Sequence, residues 1–318
     1  MEDEKKGRTA KRATKRATMR DVAAASGVSP STVSFVLNDA PHQTISAATR
    51  ERVLRAADEL GYVPHGVARA LREGSSRIVL LNLDPLFRGG SIDGYTRGLD
   101  DELGRHGHVL LVRRAGGSPL EPVVDAVVPR AVVNLAGIYD EWESAADGGW
   151  VNGLGAHTRS QLTHLQETGH VVVAFALPGD VEAAPFAQVR LRLARAAAAS
   201  VGIVQLEVLP VPRDVESARA GVGEFLAMHP EVTAVAAFDD VVALRVLAAL
   251  RALGKQVPGD LAVIGFDATE HGAYWDPPLT SVRVDAEAFG RRAARQALGL
   301  DASDVVPGPA TVVAGGTA

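Results

Sequence analysis

Hydrophobic and polar positions near the start of the chain follow the pattern of two short helices joined by a tight turn. Thr18 is a suitable N-cap for the first helix, with Val22 turned towards a core. Gly27 ends that helix, because glycine readily adopts the left-handed conformation of a helix C-terminus. Ser29 and Pro30 are favourable at the N-cap and first position of a second helix. The pattern therefore predicts a helix, a turn and a second helix.

The second helix has an apolar face too small for a core helix. Val33, Val36 and Leu37 form that face. The opposite face carries small polar residues and one aromatic residue, namely Ser31, Ser34, Phe35 and Asn38. Small hydroxyl side chains at the start of a short, capped helix allow close approach to phosphates and base edges.

A third helix is predicted from the N-cap Ser46 to Gly61. Its apolar stripe is predicted to consist of Val53, Leu54, Ala57 and Leu60. Two short helices joined by a glycine turn and packed against a third form a helix-turn-helix, which places its second helix in the major groove of DNA. A generic three-helix subdomain is the alternative.

The rest of the chain, residues 77–318, alternates strand-like apolar runs with helical patterns. The runs "RIVLLNL", "HVLLV" and "LAVIGFDA" are examples of the strands. Alternation of this kind predicts an α/β fold with parallel sheets and helices on both faces. Ligands in such folds bind beyond the carboxyl ends of the strands.

Composition and charge change this picture in one respect. The chain has a net charge of −5, but residues 5–20 contain eight Lys and Arg and no acid. A basic block on an acidic chain suggests a polyanionic partner, with a solvated disordered tail as the alternative. The chain has no cysteine, which excludes disulfides and thiolate chemistry, and it has no apolar run long enough to span a membrane.

Signs of catalysis or cofactor binding are weak. Neither a dinucleotide-binding glycine loop nor a phosphate-binding Walker loop is present. The adjacent Asp239 and Asp240 should point in different directions, so they do not form a general acid/base pair. The pairs His106/His108 and His157/His164 each lack a third metal ligand. We therefore predict no catalytic residue, no metal site and no cofactor.

The head is similar to a known family. The segments "TMRDVAAASGVSPSTVSFVLN" and "ISAATRERVLRAADELGYVP" resemble the DNA-binding domain of LacI/GalR transcriptional regulators, which implies a helix-turn-helix domain at residues 18–63. The resemblance implies base contacts from Pro30, Ser31 and Phe35, and phosphate or sugar contacts from Ser29, Thr32, Ser34 and Asn38. Many members carry Arg where this chain has Phe35. Arginine donates to guanine, whereas phenylalanine can only pack, for example on a thymine methyl group.

Residues 1–17, which precede this domain, are expected from their charge to be a basic disordered tail. The resemblance continues on the other side of the domain. "HGVARALREGSS", within residues 64–76, resembles the family's hinge helix, which orders on operator DNA. The resemblance implies that Leu71 wedges into the minor groove and that Ala68 faces the same groove. An ordinary linker is the alternative.

Residues 77–318 resemble the family's periplasmic-binding-protein-like effector domain, most clearly from "TAVAAFDD" onwards. The resemblance implies two Rossmann-like subdomains joined by three crossovers, with a small-molecule effector between them. The first subdomain is expected at about 77–152 and 284–302, and the second at about 153–276 and 305–318. The body is also expected to form the homodimer. The chain carries no C-terminal heptad helix, so we expect no coiled-coil tetramer.

The effector contacts implied by the resemblance are Arg192, Asp239 and Asp267. Asp239 stands where many members have Asn, and the first ligand loop, "DPLFRGG", lacks the family's usual form. Each residue has a structural alternative, since the two aspartates could cap helices or end strands and Arg192 could be a solvated helix residue.

The function predicted from the sequence is that of a DNA-binding transcriptional repressor, located in the cytoplasm with the nucleoid and controlled by a small molecule such as a sugar or related metabolite. The main alternative is a solute-binding protein with the same body fold. The charged N-terminal segment lacks the apolar core of a secretion signal, which argues against that alternative. An α/β enzyme is a third possibility, for which no catalytic constellation is found.

Overall fold

The computed structural model describes residues 17–37, 45–62, 76–83, 89–114, 118–135, 150–179 and 185–318. The chain divides into two compact units, Met1–Ser76 and Arg77–Ala318. Three residues of the predicted DNA interface, Asn38, Ala68 and Leu71, lie outside the described residues, as does most of the basic tail.

The described residues of the first unit form three helices, α1 (Met19–Ser26), α2 (Pro30–Leu37) and α3 (Ala47–Glu59). The predicted caps form. The Thr18 side chain accepts from the backbone N–H of Asp21, whose carboxylate accepts from the Thr18 N–H in return. The hydroxyl of Ser29 accepts from the backbone N–H of Thr32 at 3.1 Å. Gly27 has a φ of +66°, so the turn between α1 and α2 uses the left-handed conformation that glycine tolerates best.

One valine from each helix, Val22, Val33 and Val53, is fully buried in the core of this unit. The predicted stripe of α3 is partly wrong, because Leu54 and Leu60 are 48% and 40% exposed. The buried positions are instead Val53, Ala56 and Ala57. Small side chains at this i, i+3, i+4 spacing let α3 lie close to α1 and α2, whereas Leu54 is about 100° further round the helix.

The described residues of the second unit form two sheets. The three-stranded sheet has the order β2–β1–β3, with parallel strands β1 (Ile78–Leu83), β2 (Val109–Arg114) and β3 (Ala131–Asn134). The larger sheet has the order β5–β4–β6–β7–β8–β9 and is parallel except for its last strand. Its strands are β4 (Val172–Pro178), β5 (Gln205–Val211), β6 (Ala234–Ala237), β7 (Ala262–Phe266), β8 (Thr280–Arg283) and β9 (Thr311–Val313).

Helices alternate with these strands, as predicted for an α/β fold. They are α4 (Gly90–Arg105), α5 (Glu121–Val127), α6 (Trp150–Glu167), α7 (Pro185–Val201), α8 (Val215–Met228), α9 (Asp240–Ala252), α10 (Glu270–Ala273) and α11 (Ala286–Leu298). Helices α6 and α7 pack together, as do α8 and α9, and both pairs contact the larger sheet. The central strands β4, β6 and β7 of that sheet are almost wholly buried, which explains their continuous apolar runs.

The chain crosses between the two sheets near its C-terminus. β8 belongs to the larger sheet, but the following helix, α11, packs along α4 and contacts β3 of the smaller sheet. The chain then returns to the larger sheet as β9. These passages bring the N-terminus of α4 close to the carboxyl end of β7.

Helices α4 and α11 meet at glycines. A Cβ atom on Gly98 would overlap the backbone carbonyl of Glu287, and one on Gly290 would overlap the backbone of Tyr95. The side chain of Glu102 is almost fully buried between the same helices, with its carboxylate 2.6 Å from Nε of Arg295. Burial raises the pKa of Glu102, but hydrogen bonds from Arg295 and Arg105 hold it below its usual value. The contact between α4 and α11 is therefore close and ionic.

Candidate functional site

The exposed face of α2 is the candidate DNA interface. Ser29, Pro30 and Ser31 are exposed at its N-terminal end, and Phe35 is 37% exposed one turn further on. The predicted backbone-contacting residues Thr32 and Ser34 are partly exposed on this helix. A helix with small polar side chains at its free end and an apolar face of Val33 and Val36 has the shape of a recognition helix.

Hydroxyl groups at the start of α2 form a local network. The Ser29 Oγ lies 2.8 Å from Ser31 Oγ and 2.9 Å from Thr32 Oγ1. The network fixes the rotamers of side chains that face solvent. Nearby, Nε of Arg52 donates to the backbone carbonyl of Ser26 at 2.9 Å, which ties α3 to the end of α1. The geometry of the turn is therefore held from both sides.

The second candidate site lies at the carboxyl ends of β6 and β7 in the second unit. Asp239 follows β6 and caps α9, with its Oδ1 accepting from the backbone N–H of Val242 at 2.7 Å. Burial raises the pKa of Asp239, although this hydrogen bond opposes the shift. Asp239 is thus a helix cap, as the structural alternative held, and also a partly buried carboxylate at a strand end.

Asp267 follows β7 and has an unusual environment. Its φ of +100° is rare for a residue other than glycine, and such strain costs about 1–3 kcal/mol and is concentrated at functional sites. Burial raises the pKa of Asp267 well above its usual value, and the nearby charge of Asp239 adds to this effect. Its Oδ2 is so close to Gly89 that a Cβ atom there would lie 2.6 Å away. Asp267 therefore contacts the segment just before α4.

Asp267 also lines a cavity of about 500 Å³ at the crossovers between the two sheets. Gly90 and Ser91 of α4 line the cavity on one side, and Arg283 and Asp285 line it on another. A carboxylate at a strained position beside a cavity suits the binding of hydroxyl or amine groups.

Asp240 holds the loop that carries Asp267. Its Oδ1 accepts from the Ser281 hydroxyl at 2.5 Å, and its Oδ2 accepts from the backbone N–H and hydroxyl of Thr269 at 2.6 and 2.8 Å. The sequence did not reveal this role, because α9 packs against β7, and the pairing of β7 with β8 brings Ser281 to Asp240. The adjacent carboxylates of Asp239 and Asp240 bind different partners.

Two arginines of α7 lie in contrasting positions. Arg192, the predicted effector contact, is exposed. Arg190 is 1% exposed, and its charge interacts with those of Asp267 and Asp239. The two residues are about 200° apart around the helix, so they cannot share one face. Arg190 belongs to the same "RLRLA" segment, but nothing in the sequence distinguished a buried arginine from an exposed one.

Two further buried polar residues, His157 and Gln161, lie on α6 and were not predicted for the site. The His157 ring packs edge-on against Phe289 with centroids 5.7 Å apart. Burial, helped by the charge of Arg190, lowers the pKa of His157 to about 4, so its ring is neutral at pH 7. Among the described residues, no group of three His, Asp or Glu could hold a metal ion.

Comparisons with known proteins identify the family of this chain. Residues 18–65 match the family model for bacterial regulatory proteins of the lacI family, and residues 162–316 match the model for a periplasmic binding protein-like domain. The regulator CelR of Thermobifida fusca is 33% identical over 88% of this chain and 91% of its own length. The chain belongs to the lacI family of bacterial regulatory proteins. It is a transcriptional regulator with an N-terminal helix-turn-helix and a periplasmic-binding-protein-like body.

Other relatives extend the comparison. The repressor PurR of Vibrio campbellii is 28% identical over 87% of this chain and 90% of its own length. A structure described as a CelR–cellobiose complex has a TM-score of 0.56 and 26% identity, covering 95% of this chain and all of that one. The lac repressor dimer bound to operator and an anti-inducer has a TM-score of 0.75 at 24% identity, covering 95% and 99%, which supports the fold.

These findings confirm the predicted fold class and regulator function, and they do not support a solute-binding protein without a transcriptional role. The match to the periplasmic binding protein-like domain begins at residue 162, within α6. In the part of the chain that the structure describes, no helix has the length and apolar character needed to cross a bilayer.

Proposed function

We propose that this regulator is a repressor that binds a pseudo-palindromic operator as a homodimer and releases it when a saccharide occupies the cleft between its subdomains. One observation carries the proposal for the effector. Two partly buried carboxylates, Asp239 and Asp267, follow neighbouring strands at the carboxyl ends where ligands of α/β folds bind. The CelR–cellobiose complex supports a sugar as the class of ligand.

The chemistry of the two carboxylates suits a hydroxylated ligand. An ionised carboxylate only accepts hydrogen bonds, and hydroxyl groups of a sugar can donate to it with charge assistance. Arg192 is exposed on α7, and its guanidinium donates hydrogen bonds where the carboxylates accept them. It remains our candidate for clamping a ligand oxygen. Asp267 also contacts Gly89 before α4, so a ligand bound to this carboxylate changes a contact across the cleft.

The link between cleft and operator follows from a general rule. A ligand shifts a protein between two states only by its differential affinity for them. A sugar that binds the two subdomains in one relative orientation therefore selects that orientation. In a dimer, the change alters the spacing of the two DNA-binding units, and operator affinity falls.

Operator binding with and without sugars tests the proposal. Operator fragments would be selected from random DNA, and their affinity measured by fluorescence anisotropy at fixed salt while cellobiose or lactose is added. We expect at least one sugar to change operator affinity by about 5- to 150-fold, the usual range of allosteric coupling. Selection of no defined sequence would contradict a sequence-specific repressor, and the absence of any response to a broader sugar panel would contradict the saccharide effector.

Phe35→Arg is expected to change operator preference at one base pair of each half-site, towards guanine. The side chain is exposed on α2, and arginine can donate to O6 and N7 of guanine where phenylalanine cannot. A good bidentate contact discriminates by about 1–3 kcal/mol. Selection of sites from random DNA by both proteins checks this result, and an identical consensus would show that residue 35 does not face the bases. Leu54→Arg, at an exposed position of α3, is the matched control.

The body offers a surface for the second copy. A groove of about 360 Å³ lies between α8 and α9, lined by Val215, Val241, Leu244 and His271. Val215 and Val241 are 69% and 46% exposed, which is unusual for clustered valines in the absence of a partner. The lac repressor dimer among the structural neighbours supports a second copy of this chain as the occupant.

Val241→Arg is expected to convert the dimer into a monomer, because a charge would be buried in an apolar contact without a partner. Sedimentation velocity checks the result. Val204→Arg is the control, since Val204 is 80% exposed just before β5, outside the groove. A Val241→Arg protein that stays dimeric would exclude this groove as the interface.

A further inference from the structure

Arg190 is a fully buried cation in an aromatic pocket. Its guanidinium carbon lies 3.9 Å from the ring centroid of Phe266, 5.5 Å from that of Phe238 and 5.9 Å from that of Phe175. Cation–π contacts at these distances are favourable, but they do not replace the hydration of a charge. A core built only for packing would hold an aliphatic side chain here. The charge therefore requires a separate explanation.

The contacts of Arg190 are with the residues that precede the two candidate effector carboxylates. Its Nη2 donates to the backbone carbonyl of Phe238 at 3.1 Å, and Asp239 is the next residue. Its guanidinium stacks on Phe266, and Asp267 is the next residue. One side chain thus touches the ends of both β6 and β7.

Gln161 supports the same two strand ends from α6. Its Nε2 lies 2.9 Å from the carbonyl of Ala237 on β6 and 3.3 and 3.1 Å from the carbonyls of Ile264 and Gly265 on β7. Two buried polar side chains from neighbouring helices therefore hold the carboxyl ends of β6 and β7. Asp239 and Asp267 follow these two strand ends.

The charges around the carboxylates favour Arg190 as their counter-ion. Asp239, Asp240 and Asp267 together bring three acidic groups to this region, and Arg190 interacts with both Asp239 and Asp267. Arg245 interacts with Asp239 from α9. Burial lowers the pKa of Arg190 to about 10, so the residue stays protonated at pH 7, whereas His157 is neutral there.

We infer that Arg190 is a positioning residue of the effector site, which fixes the ends of β6 and β7 and serves as the shared counter-ion of Asp239 and Asp267. The inference rests on the proposed function for the effector role of these carboxylates. It assigns to Arg190 no contact with the ligand. Its effect on sugar binding is indirect, through the position and charge of the two acids.

The pH dependence of stability distinguishes a counter-ion from a packing residue. Burial raises the pKa of both acids, so the folded protein loses stability as pH rises from their unfolded value through their folded value. Removal of the Arg190 charge raises both pKa values further, which extends this loss to higher pH. The effect of the substitution should therefore be larger at pH 8 than at pH 5.

The experiment compares the full-length wild type with Arg190→Met and Arg190→Lys. All three tryptophans lie in the second unit, so their fluorescence reports its thermal unfolding. We expect the loss in Tm caused by Arg190→Met to grow between pH 5 and pH 8 by about 3–5 °C for each pH unit of pKa shift. Arg190→Lys should restore the part of the stability that depends on pH, because it keeps the charge.

A second background serves as the control. In a protein that also carries Asp239→Asn and Asp267→Asn, the loss caused by Arg190→Met should no longer depend on pH. If Arg190→Met folds only in this background, the counter-ion role is supported. An equal loss at every pH, or failure to fold in both backgrounds, would show that Arg190 is needed for packing alone. An unchanged pH dependence in the Asn background would show that Arg190 is not the counter-ion of these two acids.

The result is independent of the identity of the effector. If the pH profile is as expected but the wild type responds to no sugar of the panel, the proposed saccharide control fails while the pairing of Arg190 with the two acids stands. If sugars act and the pH profile is flat, the proposed function stands and the inference on Arg190 fails.

Discussion

Gly98→Val is expected to destabilise the second unit by about 3 kcal/mol or more, the upper end of the usual range for overpacking. A Cβ atom on Gly98 would overlap the backbone carbonyl of Glu287, and the added methyl groups would need still more room. Backbone atoms cannot move aside as a flexible side chain can, so α4 and α11 would have to separate. Separation would also break the buried ion pair between Glu102 and Arg295.

The expected loss corresponds to a fall in Tm of about 6–12 °C or more for a domain of this size. Tryptophan fluorescence measures it, because the tryptophans lie only in the second unit. Gly104→Ala on the same helix is the control, since a Cβ there has no atom within 4 Å. Alanine should leave stability unchanged or raise it by up to about 1 kcal/mol. Equal effects of the two substitutions would show that α4 and α11 are not in close contact.

Local signals allowed much of the first unit to be predicted from the sequence. Thr18, Gly27 and Ser29 act through residues close to them in the chain, so their capping roles could be inferred without knowledge of the fold. The stripe of α3 could not be inferred in full, because the choice between Ala56 and Leu60 depends on how closely α1 and α2 approach. The caps depend on neighbours in the sequence, whereas the buried stripe of α3 depends on helices that are distant in the sequence.

The same distinction applies to the candidate effector site. Asp239 and Asp267 were predicted from the resemblance to the family, and the structure places them after the neighbouring parallel strands β6 and β7. The role of Asp240 depends on Ser281, which is 41 residues away, and that of Arg190 on Phe238, which is 48 residues away. Contacts of this kind leave no periodic pattern in either segment. The predicted roles of Ala68 and Leu71 rest on the resemblance alone.

Asp267→Asn is expected to abolish the response of operator affinity to cellobiose, or to whichever sugar of the panel acts on the wild type, while operator binding without sugar is retained. The carboxylate is the proposed acceptor for ligand hydroxyls, and an amide has no charge to strengthen such hydrogen bonds. A wild-type coupling of about 5- to 150-fold should fall to less than about twofold. Fluorescence anisotropy with a fixed operator and increasing sugar measures both quantities. A normal response in the variant would remove Asp267 from the site.

The same substitution should make the protein more stable at neutral and higher pH. Burial raises the pKa of Asp267 well above its usual value, so the folded wild type loses stability as pH rises from about 3.9, the unfolded value, through the folded value. Asparagine does not titrate, and it tolerates positive φ better than most residues, so it suits the φ of +100° at this position. The difference in Tm between variant and wild type should therefore be small at pH 4 and should increase towards pH 8.

Asp100→Asn, at an exposed position of α4, is the control and should show no such increase. A variant that responds to no sugar and is also less stable than the wild type at pH 8 would mean that Asp267 supports the fold, because a carboxylate kept for ligand binding lowers stability when no ligand is bound.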